Sequence, residues 1–390
     1  MISSILLVGL VAAVFVGFNI GGSSTGIAWG PAVGAGLLKK TSAAALMTGF
    51  VFLGGATVGR NVMDTLSEDI ITLEGGIPLA GGVAILFFIG LGILVANVFG
   101  VPVPTSMTTV GAIAGLGLAT DSLNFVKIGE IVSWWFVTPI IGFWVGAMVG
   151  RYVYPELNRR YRIVATEGPL IVLDRGDGLP KPVLGPNTTS RELISTVAVL
   201  VIGCYMSFSA GASNVPNAVA PLVSSGALEP TPAIAIATAA IGFGGFTIAR
   251  RTMESVGGEL SEIPLLAALI VMVTASSITT FLSWLGIPIS LVMASVMTIV
   301  GLGWGRATRP ITAREVLTGD VDAELEMGAL SAEPRSEVTA IGEPEAQEVV
   351  DAKGLFNPRA IAKYVSMWII GPSLALGLSY LFFVFVPVGS

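Results

Sequence analysis

The fold is decided by the stretch Gly21-Gly22-Ser23-Ser24-Thr25-Gly26-Ile27-Ala28-Trp29-Gly30-Pro31, which recurs 190 positions later as Gly211-Ala212-Ser213-Asn214-Val215-Pro216-Asn217-Ala218-Val219-Ala220-Pro221. Two further pairs keep the same order along the chain, Arg60–Thr65 with Arg250–Ser255 and Gly100–Thr109 with Gly286–Ser295. Self-similarity at a nearly constant offset is the mark of an internal duplication. The chain is therefore predicted to consist of two homologous halves.

The composition places these halves in a membrane. Hydrophobic residues make up 53% and charged residues 12% of the 390 residues, and the mean hydropathy is +0.83, unlike a soluble domain of this length. About 20 apolar residues cross a hydrocarbon core, and lipid leaves unpaired backbone groups without partners, so the spans should be helices. We expect an all-α polytopic membrane protein.

Apolar segments suited to the membrane recur along the whole chain. They are Ile5–Phe18, Ser24–Leu38, Thr41–Val58, Pro78–Phe99, Pro102–Ala119, Ile131–Gly150, Leu193–Ser209, Val215–Ala227, Thr231–Ile248, Ile263–Leu285, Pro288–Gly303 and Tyr364–Val386. Four of these are short and rich in Gly, Pro and Ser, which predicts broken or re-entrant helices. These four are Ser24–Leu38, Pro102–Ala119, Val215–Ala227 and Pro288–Gly303.

Polar stretches divide the chain into five parts. We predict a first transmembrane repeat over 1–150, a cytoplasmic linker over 151–191, a second repeat over 192–305, an acidic hydrophilic loop over 306–360, and a final transmembrane helix of the second repeat over 361–390. The positive-inside rule places the linker in the cytoplasm, because it carries Arg151, Arg159, Arg160, Arg162, Arg175, Lys181 and Arg191.

The orientation of the two halves follows from the number of crossings. If each half crosses the membrane an odd number of times, both termini lie outside and the halves are inverted relative to each other. The start, Met1-Ile2-Ser3-Ser4, has no positively charged region before its apolar run, so a cleaved signal peptide is not expected.

Paired apolar segments interrupted by Gly and Pro, in corresponding places of two halves, are typical of a transporter's binding site. The alternative is that the small residues are packing faces between helices. Broken helices present N–H groups and the positive end of the helix dipole, and hydroxyl groups add donors, which suits a tetrahedral oxyanion. Candidate ligands are Asn19, Ser23, Ser24, Thr25, Thr105, Ser106, Thr108, Thr109, Ser213, Asn214, Asn217, Ser290 and Ser295.

About half of these candidates should touch substrate, since Ser and Thr in membrane helices often bond to their own backbone. The charged pairs Arg60 with Asp64 and Arg250 with Glu254 border the apolar runs. They are candidates for an accessory role, or they cap helix ends at the interface. The chain has no histidine and its apolar runs hold no paired carboxylates, so an intramembrane enzyme is not expected.

At these motifs the chain resembles the inorganic phosphate transporter family, which are secondary carriers with two inverted repeats. The family's Gly-Ala-Asn-Asp-Val-Ala-Asn-Ala-like signature is similar to Gly211–Ala218 and, in degenerate form, to Gly21–Ser24. Its Pro-Val-Ser-Thr-Thr-His element resembles Pro102–Met107 and Pro288–Met293, and its Arg-x-x-x-Glu-Thr element resembles Arg60–Thr65 and Arg250–Ser255.

The chain departs from this pattern at two pairs of positions, of which the family's aspartates are expected to help bind the coupling cation. Ser24 and Asn214 stand where the family has aspartate, and Met107 and Met293 stand where it has histidine. The stretch from Asn19 to Lys40 is more similar to the sulfate permease branch of the family.

The resemblance implies cation symport of an inorganic oxyanion, phosphate first and sulfate as the alternative. A passive anion channel remains a second alternative, because a pore can be lined by the same polar groups. We expect no cofactor beyond a coupling Na⁺ or H⁺, an unassigned metal site, and no nucleic-acid partner. The protein should lie in the cell membrane as a multi-pass protein, and the resemblance allows a homodimer.

Overall fold

The computed structural model describes residues 4–34, 37–98, 104–160, 171–174, 181–184, 190–247, 265–308 and 358–386. The elements in chain order are α1 Ser4–Gly34, α2 Lys40–Ala56, α3 Gly59–Asp64, α4 Leu79–Val98, α5 Thr105–Ala119, α6 Phe125–Met148, α7 Tyr154–Arg160, β1 Ile171–Asp174, β2 Lys181–Leu184, α8 Ser190–Ser224, α9 Pro230–Thr247, α10 Leu265–Trp284, α11 Leu291–Ala307 and α12 Pro358–Phe385. One-turn π-helices, Thr65–Asp69 and Val149–Val153, follow α3 and α6.

Six of these helical stretches are long and apolar enough to cross a membrane, and α2 forms a bent pair of 63° with Gly59–Asp69. The six are Ser4–Gly26, Phe125–Leu157, Leu193–Ser224, Pro230–Thr247, Leu266–Trp284 and Trp368–Phe385. Large apolar side chains such as Phe136 and Trp144 leave 72% and 60% of their surfaces exposed, which only lipid makes favourable. The prediction of a polytopic helical membrane protein is confirmed.

Two of the predicted helix breaks are wrong. The segments Ile5–Phe18 and Ser24–Leu38 belong largely to the single helix α1, which continues to Gly34, and α8 continues through Pro216 and Pro221. A proline removes one backbone hydrogen bond from a helix. Ending the helix inside the protein would leave several backbone groups unpaired, so continuing it costs less.

The other two predicted interruptions are present as short helices that follow non-helical turns. α5 has 15 residues and begins directly after Pro104, and α11 has 17 residues and begins after Ser290, whose backbone is extended. Each short helix pairs in sequence with the longer helix before it, α4 or α10, as the two arms of a hairpin. Entry and exit of these hairpins on one side of the membrane stays a prediction.

Helices of the first half pack directly on helices of the second half. α1 of the first half packs on α9 of the second, and α8 packs on α2 in the same manner. α5 packs on α12, and α11 packs on α6. These contacts therefore come in repeat-related pairs, as a duplication predicts. The inverted orientation of the halves stays a prediction.

Glycines allow α1 to pack closely on α9, and α2 to pack closely on α8. A Cβ on Gly21 would collide with the Ile241 carbonyl, and one on Gly211 would collide with the Val51 carbonyl. The same collisions would occur at two other repeat-related glycines, Gly54 against Phe208 and Gly244 against Phe18. Small residues bring membrane helices into backbone contact, so the glycines of the duplicated stretch are packing residues.

The strands β1 and β2 form one antiparallel pair between α7 and α8, with Ile171 opposite Leu184. This small hairpin lies within the predicted linker 151–191. The predicted acidic loop 306–360 falls almost entirely outside the described residues. The predicted division into five parts remains a prediction.

Candidate functional site

A polar cluster lies where α5, α8 and the turn before α11 meet. Thr105 donates a hydrogen bond of 2.7 Å from Oγ1 to Asn214 Oδ1, and Ser106 donates one of 2.9 Å to the Ile289 carbonyl. Asn217 Nδ2 donates to Ser106 Oγ and to the Ser213 carbonyl, each at 3.0 Å. All four polar side chains in these bonds are buried. The cluster therefore joins the first half of the chain to the second.

The amino end of α5 faces this cluster without a capping side chain. Pro104 occupies the N-cap position, and no side chain caps the helix. The first N–H groups of a helix have no acceptor within it, and they carry the positive end of the helix dipole. The first turn of α5, from Thr105 to Met107, can therefore offer backbone donors to an anion.

The repeat-related helix α11 differs at this point. Its N-cap is Ser290, whose Oγ accepts a hydrogen bond of 3.3 Å from the Met293 N–H. A serine N-cap satisfies one of the unpaired donors of its own helix. Of the two helix ends, that of α5 is the better placed to bind an anion.

Asn217 supplies an acceptor that no other residue in the described part of the chain uses. Its residue surface is fully buried, and its Oδ1 has no hydrogen-bond partner. The amide orientation is fixed by the Ser213 carbonyl, which can only accept and must therefore face Nδ2. Buried polar atoms are nearly always paired, so a bound ligand is the expected partner of this oxygen.

The hydrogen-bonded cluster contains amides, hydroxyls and carbonyls, and none of the residues just named is ionisable. Among the residues that the structure describes, no group of three or more His, Cys, Asp or Glu side chains could hold a metal ion. A cation bound at the cluster would have to be held by neutral oxygens. The site residues for the coupling cation stay unassigned.

An apolar group made of repeat-related residues lies beside the cluster. Met107 of α5 and Met293 of α11 pack with Trp368, and Trp135 packs against them. Trp135 Nε1 donates to the Pro288 carbonyl at 3.0 Å, while Trp368 Nε1 is buried without a partner. The methionines that replace the family's histidines are therefore apolar packing residues here.

Trp135, Trp368 and the carbonyl of Ile289 were not predicted from the sequence. A fourth pair of matching stretches would have revealed the two tryptophans, Val132-Ser133-Trp134-Trp135 and Val365-Ser366-Met367-Trp368. No sequence signal marks a backbone carbonyl such as that of Ile289.

The predicted ligands separate into two groups. Thr105, Ser106, Asn214 and Asn217 meet in the cluster through their side chains, and Ser213 takes part through its carbonyl. Other candidates bond to a carbonyl of their own helix one turn back, as expected of membrane hydroxyls. These are Asn19 to Phe15, Thr25 to Gly21, Thr108 to Pro104 and Ser295 to Leu291.

The remaining candidates have other surroundings. Thr109 is buried with an unpartnered hydroxyl, Ser24 is buried on α1, and Ser290 caps α11. The side chain of Ser23 lies outside the described residues. The hydrogen bonds from Asn19 to Phe15 and from Thr25 to Gly21 both stay within α1.

The predicted charged residues of the first half lie at the surface. Arg60 is exposed and donates to the Ala56 carbonyl at 2.8 Å and to Thr231 Oγ1 at 3.0 Å, and Asp64 is exposed at the end of α3. These contacts favour the helix-end interpretation for Arg60. Arg250 and Glu254 lie outside the described residues.

The fold and the buried polar site between its halves define a polytopic membrane protein of the transporter class. The comparisons with known proteins identify the family. A model of the phosphate transporter family matches residues 20–379, and the chain belongs to that family.

Relatives of the chain carry names from two substrate groups. The sulfate permease CysP of Bacillus subtilis is 24% identical over 96% of this chain and 86% of its own length. A putative phosphate permease of Pyrococcus furiosus is 22% identical over 79% of this chain and 89% of its own. The chloroplastic inorganic phosphate transporter 2-1 of Arabidopsis thaliana is 25% identical over 79% of this chain and 67% of its own.

A solved structure has the same fold. It is described as the sodium-dependent phosphate transporter, and it superposes with a TM-score of 0.67 at 17% identity, covering 99% of this chain and 100% of its own. The predicted resemblance to the family is confirmed.

Proposed function

We propose that this chain is a secondary active transporter that carries an inorganic oxyanion, inorganic phosphate first, in symport with a cation. The observation that carries the proposal is the uncapped amino end of α5, with Thr105 and Ser106, inside a buried polar cluster built from both halves. Backbone N–H groups, a helix dipole and hydroxyls together favour a tetrahedral anion.

Phosphate fits the cluster in one respect that sulfate does not. At neutral pH the hydrogen phosphate dianion carries a P–OH group, which needs an acceptor, whereas sulfate carries no proton. The unpartnered Oδ1 of Asn217 is a buried acceptor, and it can accept a hydrogen bond from that P–OH group. Phosphate is therefore our first choice of substrate.

Sulfate is the second candidate on two observations. The side chains of the cluster are uncharged, so a fully ionised dianion meets no repelling carboxylate there. The match to the sulfate permease also covers 96% of this chain, whereas the match to the Pyrococcus furiosus phosphate permease covers 79%.

Sodium is the first choice for the coupling cation. The residues of the cluster named above include no histidine and no carboxylate that could carry a proton, while neutral oxygens can coordinate a hard cation. The name of the superposed structure, a sodium-dependent transporter, is consistent with this choice.

Transport would proceed by movement of one half against the other around the cluster. The hydrogen bonds from Thr105 and Ser106 cross between the halves, so they are the contacts that such a movement would exchange. We place the protein in the cell membrane with its basic linker on the cytoplasmic side. A homodimer remains an expectation from the resemblance.

Uptake by proteoliposomes tests the proposal. Purified protein would be reconstituted, and uptake of radiolabelled phosphate and sulfate would be followed with imposed Na⁺ or H⁺ gradients. We expect accumulation of phosphate above equilibrium that needs the Na⁺ gradient. Sulfate accumulation alone would reassign the substrate, equilibration that ignores both gradients would show a channel, and no uptake of either anion would refute the proposal.

A further inference from the structure

One face of α10 carries a row of buried hydroxyls. Ser276, Thr279 and Ser283 follow the spacing i, i+3 and i+7, which places them on the same side of a helix. Each is fully buried, and each hydroxyl lacks a hydrogen-bond partner. The neighbouring Thr280 hydroxyl also lacks one.

This row differs from the hydroxyls that bond to their own helix; Thr109, Thr138 and Thr238 are further buried hydroxyls without a partner among the described residues. Thr48, Ser295 and Thr298 each donate to the carbonyl one turn back, at 2.7 to 2.8 Å, which is the usual arrangement in membrane helices. Buried hydroxyls that make no such bond are destabilising unless something else pairs with them. Water or a passing ion can supply the hydrogen bonds that the described residues do not.

α8 packs beside α10 and adds further hydroxyls. Ser209 donates a hydrogen bond of 3.1 Å to the Ser276 carbonyl, and Ser213 follows one turn later on α8. We call these two serines, together with the hydroxyls of α10, the hydroxyl seam; it consists of Ser209, Ser213, Ser276, Thr279, Thr280 and Ser283.

The inner end of the seam lies at the polar cluster. One turn beyond Ser213, Asn217 donates to Ser106, which in turn donates to Ile289 in the turn that follows α10. Ser209 meets Ser276 at the other end. α8 and α10 therefore run in the same direction, and both lead from the seam's outer end to the cluster.

The outer end of the seam lies near Tyr205, 15 residues after the first residue of α8. Tyr205, one turn before Ser209, donates to Ser277 Oγ at 3.4 Å, and this bond is exposed. The outer end lies toward the side of the membrane on which α8 begins. The charge of the linker predicts that this side is cytoplasmic.

The first half carries only part of this pattern: Asn97 corresponds to Ser283, and at the offset of 190 Asn19 and Ser23 correspond to Ser209 and Ser213. With the offset of 186 that relates Gly100 to Gly286, Ser276, Thr279 and Thr280 correspond to Gly90, Ile93 and Leu94. Gly90 packs so closely that an added Cβ would lie 2.9 Å from the Phe15 ring, and Ile93 is buried in the hydrophobic core. Only the second copy therefore carries hydroxyls at the positions of Ser276, Thr279 and Thr280.

We propose that the hydroxyl seam is the inner, hydrated part of the path along which the tetrahedral oxyanion moves between the polar cluster and the side of the membrane on which α8 begins. The inference rests on the proposed transport function. Hydroxyls donate hydrogen bonds without a fixed charge, so they replace part of the ion's hydration and still release it.

Thiol accessibility tests the passage without depending on transport. The single cysteine, Cys204, is first removed by the substitution Cys204→Ala. Thr279→Cys and Ser283→Cys are then introduced one at a time into this cysteine-free protein. Controls are Val273→Cys on the exposed face of α10 and Ile93→Cys at the matching position of the first half. The probe is an anionic, membrane-impermeant methanethiosulfonate, applied to intact cells and to inside-out vesicles.

We expect Thr279→Cys and Ser283→Cys to react at least about tenfold faster than both controls, because a charged reagent does not enter lipid or an apolar core. Reaction should occur from the side on which α8 begins, and phosphate or sulfate should slow it. Rates equal to those of the controls, or reaction from the opposite side alone, would overturn the passage.

A second variant separates a passage from a purely structural role. Thr279→Val keeps the shape and removes the hydroxyl. A purely structural role predicts unchanged uptake and equal or higher thermal stability, and that result would overturn the passage. A passage predicts a several-fold loss of uptake with the fold intact. Fast thiol reaction together with no uptake of either anion would refute the transport function and leave the seam supported as a hydrated path.

Discussion

Ser106 in the first half donates a hydrogen bond of 2.9 Å to the carbonyl of Ile289 in the second half, and both residues are buried. This bond ties the amino end of α5 to the turn that precedes α11. Ser106 also accepts from Asn217. One hydroxyl therefore connects two hairpins and a helix at the centre of the protein.

Replacing this hydroxyl should weaken both stability and transport. In Ser106→Ala the Ile289 carbonyl and one donor of Asn217 lose their partner, which costs about 1 to 3 kcal/mol when the groups stay buried. We expect a lower melting temperature in detergent and reduced uptake. The control is Ser133→Ala, since Ser133 is exposed and bonds only to its own helix at Gly129. Equal melting temperatures for the two variants would contradict this role.

The two repeat-related tryptophans should respond differently to the same change. Trp135→Phe removes the hydrogen bond to the Pro288 carbonyl, whereas Trp368→Phe removes an indole N–H that has no partner. Both changes remove a similar volume, so the difference in thermal unfolding reports the hydrogen bond. We expect Trp135→Phe to be the less stable by about 1 kcal/mol. A Trp135→Phe variant that is more stable than Trp368→Phe would contradict a stabilising hydrogen bond from Trp135 to the Pro288 carbonyl.

The close helix crossings predict a strong effect of one added methyl group. In Gly54→Ala the new Cβ would collide with the carbonyl of Phe208 on α8, and relieving such overpacking costs about 1 to 3 kcal/mol. Gly49→Ala on the same helix meets nothing within 4 Å, and it should be neutral or slightly stabilising. Melting temperature and the monodisperse fraction on size exclusion measure both variants. A monodisperse, equally stable Gly54→Ala protein would disprove the tight crossing.

The duplication was the part of the fold that could be predicted best, because three pairs of stretches keep their order and spacing. The helix breaks at Ser24 and Val215 were wrong because Gly, Ser and Pro are found both at breaks and at close crossings. Only the neighbouring helix decides between these, as the contacts of Gly21 with Ile241 and Gly211 with Val51 show.

Part of the site was also visible in the sequence. Pro104 and Ser290 occupy matching positions, and a proline side chain cannot cap a helix whereas a serine can. That difference already indicated which of the two helix ends would remain uncapped. The bond to Ile289 could not be predicted, because it uses a backbone carbonyl brought close by tertiary packing.

Asn214 provides a test of the coupling cation. The position matches the signature aspartate of the family, and its Oδ1 accepts the 2.7 Å hydrogen bond from Thr105. An aspartate can accept the same bond, so Asn214→Asp should fold. Its charge would lie beside the proposed anion site. Two like unit charges about 4 Å apart repel each other by on the order of 4 kcal/mol at a protein-like dielectric constant.

We expect Asn214→Asp to lower phosphate uptake at low Na⁺, because the carboxylate repels the anion, and to restore it at high Na⁺, because the cation neutralises the carboxylate. The apparent affinity for Na⁺ should rise several-fold, measured from uptake over a series of Na⁺ concentrations. Asn217→Asp is the comparison, because it replaces the Nδ2 that donates to Ser106 and Ser213. We expect this variant to lower thermal stability more than it changes the Na⁺ dependence of uptake. A Na⁺ dependence identical to that of the parent protein would place the coupling cation away from Asn214, and the neutral oxygens elsewhere in the interior would then have to bind it.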